Sequence, residues 1–501
     1  MWKDAQHRGR LVRGFLAVGA GNYGALVLSL LINIVLARRL GTEEYGRLSL
    51  LLMASQIMML FASNWTYAGF IRFAAQEFSA SGTVARTFWA RGGIVAPLAM
   101  VACSGVLLGG ESLARYLGIP PWGLWLVIGH FLLFHLMTTL GAVFQARQEM
   151  VRYGIVMLAD KALVLTSILL LPLAMGLDPL VVLGAYAVSC LIVSLAGFLV
   201  LGRRNLHPIT LERESVQPLL RFSLPLTLSI WAGLFGTNWV DLVIIKWALS
   251  VSDVGLYSLA SQLSGVVQQL TIIFSTLLLP QLSVMVLNGD QAAISTYLRR
   301  MLPYWLLGTS LLFCFVLLAA DPLVPFVFGH PFQGAVTPFA VLMIATASLA
   351  LFNAFDPLLN AYGATWALMK VTVVSIVVKI ALTFWLTPLL GITGAALATG
   401  GTYLTSALLV MVLVRRHTGI SVLPMTGLMA PVLVVCLARL FLVGPTFYLI
   451  AVLGTMLSVF ALVHRFRLFE AKDREVLKDL WSTAFRGVRD VTIGPMGARR
   501  E

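Results

Sequence analysis

The sequence predicts an all-α polytopic membrane protein: fourteen transmembrane helices, arranged as two pseudo-symmetric six-helix lobes plus two C-terminal helices. Three observations lead there. Hydrophobic residues make up 59% of the 501 and charged residues 11%, with a mean hydropathy of +0.91. The apolar residues cluster into runs of the roughly 20 residues a helix needs to cross a ~30 Å hydrocarbon core. Three pieces of the first half recur about 210 residues later, as in membrane folds built from internal repeats.

Taken in order, apolar runs bounded by charges and Gly/Pro breaks lie near 14–37, 47–69, 88–109, 122–144, 153–175 and 180–202. A second set follows near 219–245, 254–279, 301–320, 335–360, 367–388 and 392–414, and two more near 423–442 and 445–464. The first run is too long for a signal-peptide core. It leads into Arg38 and Arg39 rather than a small-residue cleavage site, so it is expected to stay as the first helix. The resulting organisation is an N-terminal lobe over 1–202, a cytoplasmic linker over 203–218, a C-terminal lobe over 219–416, two additional helices within 417–466, and a tail over 467–501. In the tail Val476, Leu480, Trp481, Ala484 and Val488 alternate with basic residues, which suits an amphipathic helix on the cytoplasmic leaflet.

The net charge of +14 orients the chain rather than marking a nucleic-acid surface. With a cytoplasmic N-terminus, 27 of the 35 Lys and Arg fall on the inner side and six on the outer, while Lys161 and Lys379 fall within spans. That asymmetry is the positive-inside rule for an even number of spans. It places both termini on the cytoplasmic side, with membrane lipids among the contacts. Cys103, Cys190, Cys314 and Cys436 all sit in apolar runs as small hydrophobes, with no metal or redox spacing.

The repeat rests on matched segments. Leu40 to Leu50 (LGTEEYGRLSL) pairs with Leu249 to Leu259 (LSVSDVGLYSL) at an offset of 209, and LGAYA at 183–187 pairs with TGAAL at 393–397 at an offset of 210. In addition, Lys161 lies nine residues beyond Arg152, and Lys379 nine beyond Lys370.

The stretch leaving the first span, LARRLGTEEYGRLSLLL, and LGITGAALATGGTYLTSALLVMVLVRR at the twelfth carry a family resemblance. Over roughly residues 10 to 465 the chain resembles the bacterial oligosaccharide (O-antigen/polysaccharide) flippases of the multidrug/oligosaccharidyl-lipid/polysaccharide exporter superfamily. The resemblance implies two six-helix lobes around a cationic cavity. It also implies transport of an undecaprenyl-diphosphate-linked oligosaccharide from the cytoplasmic to the periplasmic leaflet by alternating access. Other polysaccharide-assembly membrane proteins are the expected partners.

Ionisable groups inside a membrane are costly and mark functional candidates. Lys161 and Lys379 head them: nine residues place each ~14 Å from its cytoplasmic anchor, near mid-membrane. From there both are expected to hold the diphosphate as compact point charges. Arg72, with Asn64 nearby, is expected to meet the substrate at the cytoplasmic end. Asp160, Asp356, Asp241 and His130 are candidates for coupling or gating, although each also reads as an ordinary helix-end charge or internal ion pair. Asp160 is expected to point ~100° away from Lys161. Asn33 and Tyr67 add polar and aromatic edges suited to sugars.

No metal and no cofactor is expected. The sequence holds no phosphate-binding G-x-x-x-x-G-K-[ST] loop, no H-E-x-x-H and no G-x-S-x-G, so the chain is not read as an enzyme. A cation-coupled drug exporter of the same superfamily is the nearest alternative. It commonly carries a first-helix carboxylate, and residues 14–37 hold no Asp or Glu. A membrane glycosyltransferase or polymerase is a further alternative, and it would need larger outer loops than these.

Overall fold

In a computed structural model the described residues, 5–171, 176–236, 239–442 and 444–466, fold into helices and connecting turns with no strand. The basic tail after residue 466 lies outside them. The first helix, α1 (Ala5–Ala62), runs 58 residues yet is not one rod. At Gly41 the backbone turns through φ 73°, a left-handed conformation that glycine alone adopts without cost. The Tyr45 hydroxyl reaches back to Asn33 Oδ1 at 3.2 Å, although 12 residues of straight helix would separate them by ~18 Å. Thus α1 is a helical hairpin. It contains the expected spans 14–37 and the beginning of 47–69.

The second arm of α1 breaks at Ser63. A 3-10 turn, Asn64–Thr66, separates it from α2 (Tyr67–Ser81), so the expected span 47–69 is two pieces. The remaining helices of the first half are α3 (Ala85–Leu117), α4 (Gly123–Ala146), α5 (Met150–Leu170) and α6 (Pro179–Leu201). The small-residue stripe Ala17, Gly21 and Ala25 lies on α1. Gly21 meets Gly154 of α5 so closely that a Cβ on Gly21 would strike the Gly154 backbone, the backbone approach that small residues permit in membranes.

The second half comprises α7 (Arg213–Gly236), α8 (Trp239–Ala248), α9 (Val251–Leu287), α10 (Gln291–Thr296), α11 (Leu302–Phe328), α12 (Val336–Ala361) and α13 (Thr365–Thr418). The last residues of the expected linker, from Arg213, already belong to α7. A capping box, Ser250 with Asp253, starts α9. α13 is a second hairpin, turned at Gly391 with φ 63°. The Ser375 and Ser406 hydroxyls lie 2.7 Å apart, whereas a straight helix would hold them ~46 Å apart. Finally, α14 (Ala430–Phe441) and α15 (Pro445–Arg465) follow. Arg439 of α14 makes a bidentate pair with Asp321 of α11 at 2.6 Å.

Among the described residues, nine helical segments are long and apolar enough to cross a membrane, and the α1 and α13 hairpins are two of them. Large apolar side chains such as Leu108, Leu199, Phe315 and Phe460 face outward. In water such a surface would be an aggregation hazard, whereas in lipid it is the required one.

The two repeated segments meet each other. Gly46 and Gly255, which correspond at the 209-residue offset, face across the seam between halves. A Cβ on Gly46 would overlap the Val251 carbonyl, and one on Gly255 would overlap that of Thr42. Ser252 Oγ donates to Thr42 Oγ1 at 2.7 Å. Nearby, Arg38 Nε donates to the Val327 carbonyl at 2.7 Å, and the Tyr45 ring packs edge-on against Phe332. At the opposite end of the bundle, which carries the inter-half linker, α2 and α3 pack on α7 and the linker. Here Phe73 packs edge-on against Phe222, and Trp89 Nε1 donates to the Leu206 carbonyl at 2.8 Å. The halves therefore touch at both ends, and a cavity lies between the contacts.

Candidate functional site

The cavity is built mainly by the first half, with α9 as its far wall. A space of about 280 Å³ is lined by Ser29 and Asn33 of α1, Gln56 past the hairpin turn, His130 and Phe134 of α4, Asp160 and Lys161 of α5, Tyr186 of α6 and Gln262 of α9, among others. A more apolar space of about 230 Å³ adjoins it, sharing Ser29, Asn33 and Gln262 and adding Gln269 and Phe328. Polar residues recur on the inward faces of α1 and α9 because the opposite faces meet lipid or pack the halves.

Lys161 reaches this cavity with its side chain about a quarter exposed, while Asp160 beside it is buried. Their ammonium and carboxylate are 2.9 Å apart. The expected ~100° divergence holds for the Cβ directions only: the four-carbon lysine stem swings Nζ back to its neighbour. Ser189 Oγ of α6 donates to Asp160 Oδ1 at 2.9 Å, and Lys161 Nζ lies 5.7 Å from the centre of the Tyr186 ring, within cation–π range. His130, buried, hydrogen-bonds through Nδ1 with Ser55 Oγ at 2.7 Å and stacks on Phe134.

Lys379 has a different setting. It is fully buried and pairs with Asp241 of α8 at 3.0 Å, itself fully buried. Asp241 also accepts hydrogen bonds from Tyr257 at 2.7 Å, Thr399 at 3.2 Å and Thr383 at 3.3 Å, so its lone pairs are satisfied. The α13 hairpin creates this cage by folding Thr399 back beside Lys379. Thus Lys161 and Lys379 do not share one chamber: one faces the cavity and the other is sealed among α8, α9 and α13. Asp241 is buried inside the protein.

The other candidates lie apart from these. Asn64 is in the 3-10 break. Arg72, exposed, lies over the Phe222 ring of α7 with its guanidinium 4.8 Å from the ring centre, at the linker end where the halves meet. Asp356 accepts from Asn360 at 3.0 Å on its own helix, α12. The structure brings Asp160, Lys161 and His130 together, and Asp241 with Lys379; it leaves Arg72, Asn64 and Asp356 outside both groups.

Sequence reasoning missed Tyr186, Ser189, Tyr257 and Thr399. The signal was present for two of them: at the 210-residue offset of LGAYA and TGAAL, Ser189 corresponds to Thr399, and each donates to the carboxylate paired with its half's lysine. Arg91, one of the residues the positive-inside rule assigns to the inner side, is 1% exposed. It donates to Thr66 at 3.0 Å, Thr139 at 2.9 Å and Ser63 at 2.9 Å, with the Phe70 ring 5.0 Å away. Arg91 thereby pins the 3-10 break between α1 and α2.

Helical halves that are sequence repeats and touch at both ends of a polar cavity define a multi-pass, all-helical membrane fold. Solved structures share that fold. The fold matches that of the lipid II flippase MurJ in an inward closed conformation, at TM-score 0.69 and 12% identity, covering 90% of this chain and 98% of that one. It also matches an inward-facing multidrug resistance MATE family transporter of the MOP superfamily, at TM-score 0.64 and 14% identity, covering 79% and 94%. An outward-facing MATE family transporter matches at TM-score 0.52 and 15% identity, covering 82% and 95%. No curated protein matches the sequence. The sequence profile of the polysaccharide biosynthesis protein family matches residues 11–286, more than half the chain. The protein belongs to that family.

Proposed function

We propose that the protein is a flippase that carries an undecaprenyl-diphosphate-linked oligosaccharide from the cytoplasmic to the periplasmic leaflet of a bacterial inner membrane, for surface polysaccharide biosynthesis. The observation that carries this reading is the polar cavity on the seam between repeated halves, in a chain of the polysaccharide biosynthesis family. The two closures that flank the cavity support alternating access. Opening the linker-end contact while Gly46 and Gly255 stay together admits cargo from one side, and the converse releases it on the other. A mobile gate of this kind needs glycine at the crossing, because any side chain there holds the halves apart.

Arg72, exposed where the halves meet at the linker end, is suited to attract the diphosphate head on entry, with Asn64 at the neighbouring break. Lys161 offers its ammonium donors to cargo inside. Lys379, caged by Asp241 and two threonines, serves substrate only if that pair opens. The polyprenyl chain stays in lipid, whose contact with the apolar outer surface costs nothing.

The direct test is leaflet transfer of a fluorescent undecaprenyl-diphosphate oligosaccharide in proteoliposomes, read by dithionite quenching. Protein-dependent transfer that Lys161→Ala reduces is expected. Transfer of a cationic drug but not of the lipid-linked sugar would establish the drug-exporter reading instead.

A further inference from the structure

We infer that Tyr45 is a positioning residue that couples the amides of the cavity wall to the closure remote from the linker, so that cargo engaging the wall loosens that closure. This rests on the flippase reading and adds to it the means by which cargo in the cavity reaches the gate. Tyr45 lies on the second arm of α1, one residue before the Gly46 that crosses Gly255. Its ring packs edge-on against Phe332 of the other half, 5.6 Å between centres, and the residue is 2% exposed. Its hydroxyl donates to Asn33 Oδ1 on the first arm at 3.2 Å, and the Gln262 side chain of α9 is a further hydrogen-bonding neighbour. Asn33 and Gln262 both line the polar space and the apolar space beside it. One side chain thus has its ring in the closure and its hydroxyl on amides of the cavity wall. The arrangement is not duplicated. At the 209-residue offset Tyr45 corresponds to Val254, which carries no hydroxyl, in the half that builds less of the cavity.

The wall amides each combine a carbonyl acceptor with an N–H₂ donor, so they can engage sugar hydroxyls and phosphate oxygens alike. At 3.2 Å the bond from Tyr45 is long for an O–H donor and easily displaced. Cargo that takes Asn33 and Gln262 strips the phenol of its partners, and a buried hydroxyl left without a partner is costly. That cost falls on the closed form alone. Parting Gly46 from Gly255 and Tyr45 from Phe332 lets water reach the hydroxyl. Cargo therefore binds the open form more tightly, and a ligand shifts a two-state equilibrium by its difference in affinity for the two states.

The experiment places spin labels at Glu43→Cys and Gln333→Cys, both exposed and on opposite sides of the closure. Cys103 is changed to Ala, and the other three native cysteines are buried. With the full-length protein in lipid nanodiscs, label separation is measured by dipolar electron paramagnetic resonance, with and without a synthetic short-chain prenyl-diphosphate disaccharide. The probe is expected to raise the open-to-closed ratio about tenfold, the scale set by one unpaired buried hydroxyl. In Tyr45→Phe, which keeps the ring against Phe332, the probe is expected to change the ratio less than about twofold. A tyrosine that only packs would leave the response intact. Without probe, Asn33→Leu and Tyr45→Phe are each expected to shift the ratio, and the double variant to shift it no further than the larger single change. An equal response to probe in Tyr45→Phe and the unaltered protein, no shift from Asn33→Leu, or additive shifts would overturn the inference. A probe that moves neither protein while the two substitutions remain non-additive would overturn the flippase reading and leave the coupling standing.

Discussion

The two halves of this protein each hold a lysine–aspartate pair in the membrane, and the pairs are built from different parts. In the first half lysine and aspartate are consecutive on α5, and the lysine opens onto the cavity. In the second half the partners come from α8 and α13, 138 residues apart, and neither is exposed. One feature is common: a hydroxyl from the pseudo-equivalent helix, Ser189 on α6 or Thr399 on the returning arm of α13, donates to the carboxylate. Duplicated scaffolding has thus been kept while the pairs have diverged. The first pair opens on the cavity through Lys161, whereas the sealed pair ties α8 to α13.

That difference can be broken experimentally, and the largest effect is expected in the second half. Asp241→Asn removes the carboxylate partner of the buried Lys379, and breaking a buried pair costs about 3–5 kcal/mol. The expected outcome is a large drop in thermal unfolding temperature in detergent. The double change Asp241→Asn with Lys379→Met should recover most of that loss, because replacing a whole buried pair is often close to neutral. A double variant as unstable as the single would mean that the pair does not act as a unit.

Arg91 is a buried cation like Lys379, but held by hydroxyls instead of a carboxylate. Arg91→Lys keeps the charge and forfeits the three-way fork. Each hydrogen bond lost from a charged group costs about 1.5–3 kcal/mol, and hydrogen exchange should rise at the Ser63–Thr66 break before it rises elsewhere. Exchange confined to other segments would contradict the pinning role.

At the cavity, Lys161→Met removes a partner from a carboxylate that sits beside a polar space. The stability cost should be clearly below that of Asp241→Asn, about 1–2 kcal/mol once solvent screening is allowed for, while transport of the lipid-linked sugar falls at least about tenfold. Equal destabilisation by the two variants would erase the distinction between halves. The smallest effect belongs to Arg439→Ala. Its pairing with Asp321 is partly exposed, and such surface pairs contribute under ~1 kcal/mol. Unfolding temperature should barely move.

Much of this architecture was legible in the sequence because it depends on local signals. Run length and composition identify the helical membrane class, and the repeat that places Gly46 opposite Gly255 in the alignment also places them opposite each other in space. Both hairpins turn at glycines within the segments that carry the family resemblance. What escaped was non-local. No spacing rule relates Lys379 to Asp241, since their pairing follows from the packing of α8 on α13. The break at Ser63–Thr66 depends on Arg91, more than 20 residues away, whose charge looked like an ordinary inner-surface arginine. The pairing of Asp160 with Lys161 was hidden for a related reason. The angular rule for neighbouring helical residues describes Cβ directions, and a lysine stem is long enough to defeat it.

The most direct test is where lipid-linked oligosaccharide collects when this protein is missing. In a strain deleted for its gene, undecaprenyl-diphosphate oligosaccharide should be trapped on the cytoplasmic leaflet, inaccessible to a sugar-modifying reagent added outside spheroplasts, and re-expression of the intact chain should make it accessible. Accumulation of single repeat units on the outer leaflet in the deleted strain would contradict the account and point to a polymerase.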